Sequence, residues 1–321
     1  MELWLRNNIK INMGSEAATL KESIDGVAYI LSTTLTNSKA IEELSLKKGD
    51  RISLYDYDYY TGAYIMLFDG VIWNLDTDKK SKKILITGKE RTIYIEESED
   101  EYLWSEGQTA NQRISIIAND WGIPIGTLTD TKIGLAKGLR KEKLYGMIRK
   151  DLKETAQKGG SLYRLRMDEK LDLWELGTNI LVPKLETAIE EMKENSTLDG
   201  SITQVKVLGK NEKDTTKSPI IGVFKQDTEN YGTIQKLVQD DKVDDYAKAQ
   251  SKANSLFSTG EDSISVKCAL DINTLRAGNK VSIYSSEYIV TEITHNFGGK
   301  GKMDLNLMTW EGVKTKFYGE R

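Results

Sequence analysis

At 321 residues the chain exceeds one ordinary hydrophobic core and points to two or three domains, and its 39% apolar residues are enough to fill them. A formal charge of −4 and a pI near 5.4 argue against a dedicated nucleic-acid binder, which usually carries a basic face. A single cysteine and a single histidine exclude a disulfide framework, a thiolate cluster and a multi-histidine metal centre within one chain.

Residues 1–105 read as a first β module. Leu3, Leu5, Ile9, Ile11 and Met13 share one parity around a turn at Asn7-Asn8, which predicts an opening hairpin. Charges and Asn interrupt this start too often for an export signal, and no apolar run reaches the roughly 20 residues of a membrane span, so folding in a reducing cytoplasm is expected. Val27–Leu35 is a strand candidate and Ser38–Leu44 a short helical turn. Leu46–Tyr55 opens on Gly49-Asp50 and runs on as an alternating strand, followed by strands Tyr64–Trp73 and Lys82–Glu90. Tyr57, Tyr59 and Tyr60 form the candidate interaction surface, because tyrosine is enriched at interfaces; the alternative is a hairpin tip with tyrosines packed along a sheet. Glu96–Glu101 (EESEDE) reads as a solvated connector.

Residues 106–199 read as an α+β insert. Ile114, Ile117, Ala118 and Trp121 share a helix face that Gly122 and Pro124 terminate. Ile114–Leu128 resembles a LysM helix and loop, which would mean glycan binding, although helix-Gly-apolar-Pro is also ordinary helix punctuation. A second helix is expected over Lys141–Gln157, then a hairpin of Leu162–Met167 and Leu171–Leu176, then a helix over Lys184–Glu194 opened by Pro183.

Residues 200–321 read as a second β module. It starts with strands Ile202–Leu208 and Ile220–Phe224 around a polar loop, Gly209–Ser218, and includes a helical excursion at about 240–257. Ile264–Leu270 is the incoming strand. A turn at Gly278-Asn279 leads to strands Tyr288–Phe297 and Lys302–Glu311 on either side of a Gly298–Gly301 turn.

The second module repeats the first. Leu275-Arg276-Ala277-Gly278-Asn279-Lys280-Val281-Ser282-Ile283-Tyr284 matches Leu46-Lys47-Lys48-Gly49-Asp50-Arg51-Ile52-Ser53-Leu54-Tyr55 with four identities in ten and five like-for-like exchanges. Three strand candidates stand in the same order around each copy, with a shorter hairpin in the second. Two copies of one β module suggest duplication. The structural turn motif is therefore Gly49, Asp50, Gly278 and Asn279.

Chemistry is sparse. Cys268 and His295 share the parity of their apolar strand neighbours and read as packed side chains. Gly298-Gly299-Lys300-Gly301 lacks the Ser or Thr and the following helix of a phosphate cradle. Glu175 beside Trp174 and Glu311 beside Trp310 are the candidate carboxylates for a sugar hydrolase, and both lie in ordinary strand patterns. No catalytic, cofactor-binding or metal residue is assigned.

The order of parts, with Met1-Glu2-Leu3-Trp4-Leu5, Asn119-Asp120-Trp121-Gly122-Ile123-Pro124, the Leu275–Val281 turn and Ile289-Val290 to His295-Asn296-Phe297, resembles the baseplate hub proteins of contractile phage tails and phage-derived particles, the YqbQ/XkdQ family, distant relatives of the late control D proteins. The likeness spans essentially the whole chain. Gly278-Asn279 stands where the family usually has Gly-Asp. The resemblance implies an α+β, β-dominated fold with two related barrel-like β modules, a tail-tube-like duplication, and a small insert between them. It further implies a non-enzymatic homotrimer, assembled in the bacterial cytoplasm into a phage or bacteriocin-like particle, that joins the sixfold tail tube to the threefold central spike, with DNA only as passing cargo. A peptidoglycan-binding tail or cell-wall protein is the alternative.

Overall fold

Alternation decides most of this architecture. Along Lys83–Glu90, Ile84, Ile86, Gly88 and Glu90 turn inward while Lys83 and Leu85 face out, the period-two pattern of a strand with one covered face. In the computed structural model of the chain, residues 1–12, 18–36, 38–210, 217–239, 243–298 and 301–319 are described. They form two compact units, Met1–Lys193 with Ile264–Trp310, and Glu194–Ser263 with Glu311–Arg321.

A 12-stranded sheet dominates. Its order is Ile189–Thr197, Glu261–Cys268, Lys302–Met308, Ser286–Phe297, Ala18–Ser23, Ile30–Thr36, Lys83–Glu90, Tyr64–Asp78, Arg51–Tyr57, Glu2–Leu5 and Ile9–Asn12, with Lys280–Ile283 added on Ser286–Phe297. The described strands trace an open path, so the expected barrel-like modules are not closed barrels within the described chain. One core cluster gathers Leu3, Leu5, Leu20, Leu31, Ile52, Leu54, Phe68, Ile72, Ile86 and Phe297. At about 1.5–3 kcal/mol per fully buried aliphatic or aromatic side chain, such a cluster outweighs any single hydrogen bond of the sheet.

The segment between the strands of the sheet packs helix Ala110–Asp120 against helix Leu144–Gln157. The Gln112 side chain accepts from the Thr109 N–H at 3.0 Å and caps the first helix. Arg113 and Arg140 both bind the buried Asp151 carboxylate, at 2.7 and 2.6 Å, and tie the helices to the strand pair Glu99–Trp104 and Gly138–Lys143. The expected hairpin is present as Tyr163–Met167 and Leu171–Glu175, and Ile125–Leu128 joins it in parallel.

In the other unit, Gln204–Leu208 pairs antiparallel with Ile220–Lys225 and parallel with Gln235–Gln239. Helix Tyr246–Asn254 buries Ala249 and Ala253 on Val205, Val207, Phe224 and Val238. Asp245 caps that helix, its side chain accepting from the Lys248 N–H at 2.7 Å. It is shorter than the expected 240–257, and residues 240–242 and 211–216 lie outside the described residues.

Several expectations are corrected. Lys184–Glu194 is not a helix: Ile189–Thr197 is a strand, because pairing with Glu261–Cys268 overrides the helical preference of its Glu, Lys and Met residues. The acidic run is not a connector. Glu96 and Glu97 end a short helix, Ile93–Glu97, and Glu99–Glu101 are in a strand whose partner supplies Lys143 to Glu97 and Lys141 to Glu101, at 3.3 and 3.6 Å. The second helix starts at Leu144 rather than Lys141, since Gly138–Lys143 is taken by the Glu99–Trp104 strand. The opening hairpin forms, with its positive-φ turn at Arg6-Asn7 instead of Asn7-Asn8. Met13 and residues 299–300 of the Gly298–Gly301 turn lie outside the described residues. Strand Ala18–Ser23 was not expected at all.

Candidate assembly surface

Gly49 and Gly278 both have φ of +88°, a region open to glycine and strained for other residues. Around them the hydrogen bonds match one for one. Gly49 N–H donates to Ile72 O at 2.9 Å and Ile72 N–H returns to Asp50 O at 2.8 Å; Gly278 N–H donates to Val290 O at 2.7 Å and Val290 N–H returns to Asn279 O at 2.9 Å. The Asp50 carboxylate accepts from Lys47 N–H at 2.9 Å, and the Asn279 amide oxygen from Arg276 N–H at 2.6 Å. Asp or Asn serves equally there because only a side-chain acceptor is needed.

The strands after the turns correspond as well. Arg51–Tyr57 pairs with Tyr64–Asp78, which pairs with Lys83–Glu90, which pairs with Ile30–Thr36; Lys280–Ile283, Ser286–Phe297, Lys302–Met308 and Glu261–Cys268 pair in the same antiparallel order. Ile72 and Val290 hold equivalent places, and each is followed at once by a register shift, between Ile72 and Asn74 and between Val290 and Glu292. The hairpin tips differ. Ile283 and Ser286 are joined by the two-residue turn Tyr284-Ser285, with φ of 47° and 71°, whereas the first copy has longer strands and the loop Asp58–Ala63.

Burial separates the two copies. In Ser286–Phe297 the residues Thr291, Ile293, His295 and Phe297 are buried; in Tyr64–Asp78 the equivalent stretch Asn74–Asp78 is exposed apart from a half-buried Leu75. The difference is one strand. Ala18–Ser23 pairs with Glu292–Phe297, and no described strand pairs with Asn74–Asp78 on the corresponding side.

The same strand changes the chemistry of the second turn. Glu22, buried next to its last residue, accepts from Arg276 Nε at 2.8 Å, from an Arg276 terminal nitrogen at 2.7 Å and from Ala277 N–H at 2.8 Å, with Arg164 at 3.1 Å. Burial would raise the Glu22 carboxyl, but the Arg164 and Arg276 charges outweigh it and hold the group well below the usual carboxylate range. Arg276 also lies 3.9 Å from the centre of the Tyr29 ring and 3.5 Å from Glu90. Burial pushes Glu90 up. Burial likewise pulls Arg166 down to about 9. The equivalent of Arg276 in the first copy, Lys47, is exposed, and Asp50 there meets Arg6 at 2.6 Å, a hydrogen bond that lowers the Asp50 carboxyl.

Tyr57, Tyr59 and Tyr60 sit together on the tip of the first hairpin, with relative exposures of 63%, 48% and 44%. Asp58 organises the tip by accepting from the N–H groups of Tyr60 and Thr61 at 3.0 and 2.6 Å. Asn273 fixes it from outside, donating to Tyr57 O at 2.8 Å and accepting from Tyr59 N–H at 3.2 Å. Below the tip the half-buried Tyr55 stacks on Tyr64, which is itself exposed.

Two of the residues considered for chemistry, His295 and Cys268, are packed inside. His295 is fully buried, with Nδ1 2.6 Å from the Asp271 carboxylate and Nε2 2.9 Å from Leu275 O, so its ring anchors the start of the second turn. Cys268 is buried, and burial pushes its thiol up to about 11, away from nucleophilic use. Glu175 is half-buried at a strand end and Glu311 exposed in the short helix Trp310–Val313. Within Ile114–Leu128, helix Ala110–Asp120 buries Ile114, Ile117 and Ala118, and strand Ile125–Leu128 follows it. Among the described residues there is no group of three or more His, Cys, Asp or Glu placed to hold a metal, and no helix is long and apolar enough to cross a membrane.

Sequence reasoning missed Glu22 and its strand. Its only signal was Ala18, Leu20 and Glu22 on one parity, with a charge where an apolar residue is expected.

Solved structures share this fold across nearly the whole chain. The 43 kDa tail protein of prophage MuSo2 from Shewanella oneidensis matches with a TM-score of 0.69 at 10% identity, covering 97% of this chain and 98% of that one. A tail protein from Neisseria meningitidis matches at 0.65 and 12% identity, covering 97% and 96%. The Escherichia coli c3393 protein, described as a component of the type VI secretion system, matches at 0.56 and 11% identity, covering 100% and 79%. No curated protein matches by sequence. The YQBQ-like family model matches residues 18–308, which takes in both turns and every strand of the two matched sets, and the chain belongs to the YQBQ-like family.

Proposed function

We propose that this chain is the structural hub of a tail baseplate, a homotrimer that adapts the sixfold tail tube to the threefold central spike of a contractile phage tail or a bacteriocin-like particle. The observation that carries this reading is the pair of strand quartets with the same turn, strand order and register shift. Two copies per chain give a trimer six similar units, so a threefold assembly can present a pseudo-sixfold face without six chains. The first copy falls within residues 1–105 and the second within 200–321, extended back to Ile189. The function is geometric and non-enzymatic. Tyr57, Tyr59 and Tyr60 form a contact surface for a neighbouring baseplate protein, and an acidic chain lets DNA pass without trapping it.

Cryo-electron microscopy of assembled tails tests this. The expected result is three copies of the chain in a ring whose density has pseudo-sixfold symmetry between tube and spike. A single copy, or a ring without a sixfold component, overturns the reading.

A further inference from the structure

We infer that the two open strand edges of this chain are the two halves of one joint. The free edge of Ile189–Thr197 in one copy pairs with Asn74–Asp78 of the next, repeating between chains the junction that Ala18–Ser23 makes with Glu292–Phe297 within the chain. The inference rests on the trimeric reading and supplies its seam.

The acceptor edge comes first. Ser286–Phe297 has Lys302–Met308 on one side, and on the other Lys280–Ile283 followed by Ala18–Ser23. Tyr64–Asp78 has Lys83–Glu90 on one side, and on the other Arg51–Tyr57 as far as Val71. Beyond that point its edge is open among the described residues. An open, exposed edge of this kind is a template for a further strand, and soluble proteins cover or blunt such edges.

The donor edge follows by the same equivalence. Ala18–Ser23 flanks the incoming strand Ile30–Thr36, antiparallel to it. Ile189–Thr197 flanks the equivalent strand Glu261–Cys268, and is the last strand of the sheet. Lys267 meets Glu191 at 2.8 Å and Ser196 meets Asp262 at 2.6 Å, contacts that run in opposite chain directions and make this pair antiparallel too. Among the described residues, each chain therefore carries a donor with no acceptor and an acceptor with no donor. Two unlike edges joined head to tail make a heterologous interface, which closes as a ring when the rotation between copies is a whole fraction of a turn, as in a trimer.

The internal junction fixes the register. Glu292 faces Ser23, Thr294 faces Lys21 and Asn296 faces Thr19. Transposed through the matched strands, Asn74 faces Thr197, Asp76 faces Asn195 and Asp78 faces Lys193 of the neighbouring copy. Asp78 then lies opposite a positive charge. Ile24 N–H donates to Thr291 O at 2.9 Å, so Ile293 with Glu22 and His295 with Leu20 are the hydrogen-bonded pairs of the internal junction. Leu75 with Ser196 and Thr77 with Glu194 are the corresponding pairs between chains, and Asp76 with Asn195 is a closer, non-hydrogen-bonded pair suited to a disulfide.

The test is disulfide trapping in assembled tails. Asp76→Cys/Asn195→Cys is placed on exposed positions, and Lys21→Cys/Thr294→Cys serves as the internal control with the same strand geometry. On oxidation the first variant is expected to give covalent multimers closing at trimers on a non-reducing gel. The single variants should give none, and Asp76→Cys/Glu194→Cys, which points to opposite faces, at least tenfold less. If the control forms its disulfide and tails contain a threefold ring, but Asp76→Cys/Asn195→Cys gives no multimer, the joint lies elsewhere and the hub reading stands. If tails contain no ring and no multimer forms, both fail.

Discussion

A Cβ built at Gly49 would meet nothing within 4 Å, whereas one at Gly278 would meet Arg164 at 3.2 Å and Leu176 and Trp174 at 3.3 Å, although the two glycines share a φ of +88° and a matching set of hydrogen bonds. Local sequence builds the turn, and the neighbouring strand decides what surrounds it. The second turn is enclosed by Ala18–Ser23 and the Tyr163–Met167 hairpin, and its Arg276 is a largely covered cation, with 12% of its side chain exposed. The first turn has no such cover, and its Lys47 remains in solvent.

The largest effect should separate those two side chains. Arg276→Ala leaves Glu22 buried with fewer partners and is expected to cost about 3–5 kcal/mol, against about 0.5 kcal/mol or less for Lys47→Ala, both read by urea denaturation. Equal losses would break the contrast between enclosed and open turns.

Acid should report the same cluster. The folded Glu22 carboxyl is held below its unfolded value, so the stability it contributes is present above a pH of about 4.5 and is lost as pH falls below that. Glu90, raised on folding, works in the opposite direction and reduces the net slope. Glu22→Gln should flatten the acid limb of a stability profile measured from neutral pH downwards. An unchanged limb would remove Glu22 from the account.

Replacing the glycines sharpens the comparison further. Gly49→Ala meets only the cost of positive φ, about 1–2 kcal/mol, and Gly278→Ala adds crowding of about 1–3 kcal/mol, so melting should fall further for the second variant. The smallest effect belongs to the turn acceptors. Asn279→Ala loses one hydrogen bond, about 0.5–1.5 kcal/mol, and Asp50→Ala should exceed it slightly by also releasing Arg6. Gly49→Ala costing more than Gly278→Ala would reverse the assignment of open and enclosed turns.

The turns were legible because a positive φ requires glycine and the next residue must accept a hydrogen bond, constraints that act on consecutive residues. The hairpin Tyr163–Met167 and Leu171–Glu175 was legible for the same local reason. Ala18–Ser23 was not, because Glu22 breaks its apolar parity and only Arg164 and Arg276, far away in sequence, make that burial tolerable. Ile189–Thr197 was hidden by helix-forming residues whose strand state depends on Glu261–Cys268. The tyrosine tip was legible as composition, while its attachment to Asn273 depended on the fold.

Hydrogen exchange at four backbone amides tests the central equivalence most directly. Ile293 and His295 face Ala18–Ser23, and Leu75 and Thr77 are their counterparts on the open edge. In the chain before assembly, Ile293 and His295 are expected to exchange slowly and Leu75 and Thr77 fast; in assembled tails all four should be slow. Leu75 and Thr77 that are already protected in the unassembled chain, or that still exchange fast in assembled tails, would contradict it.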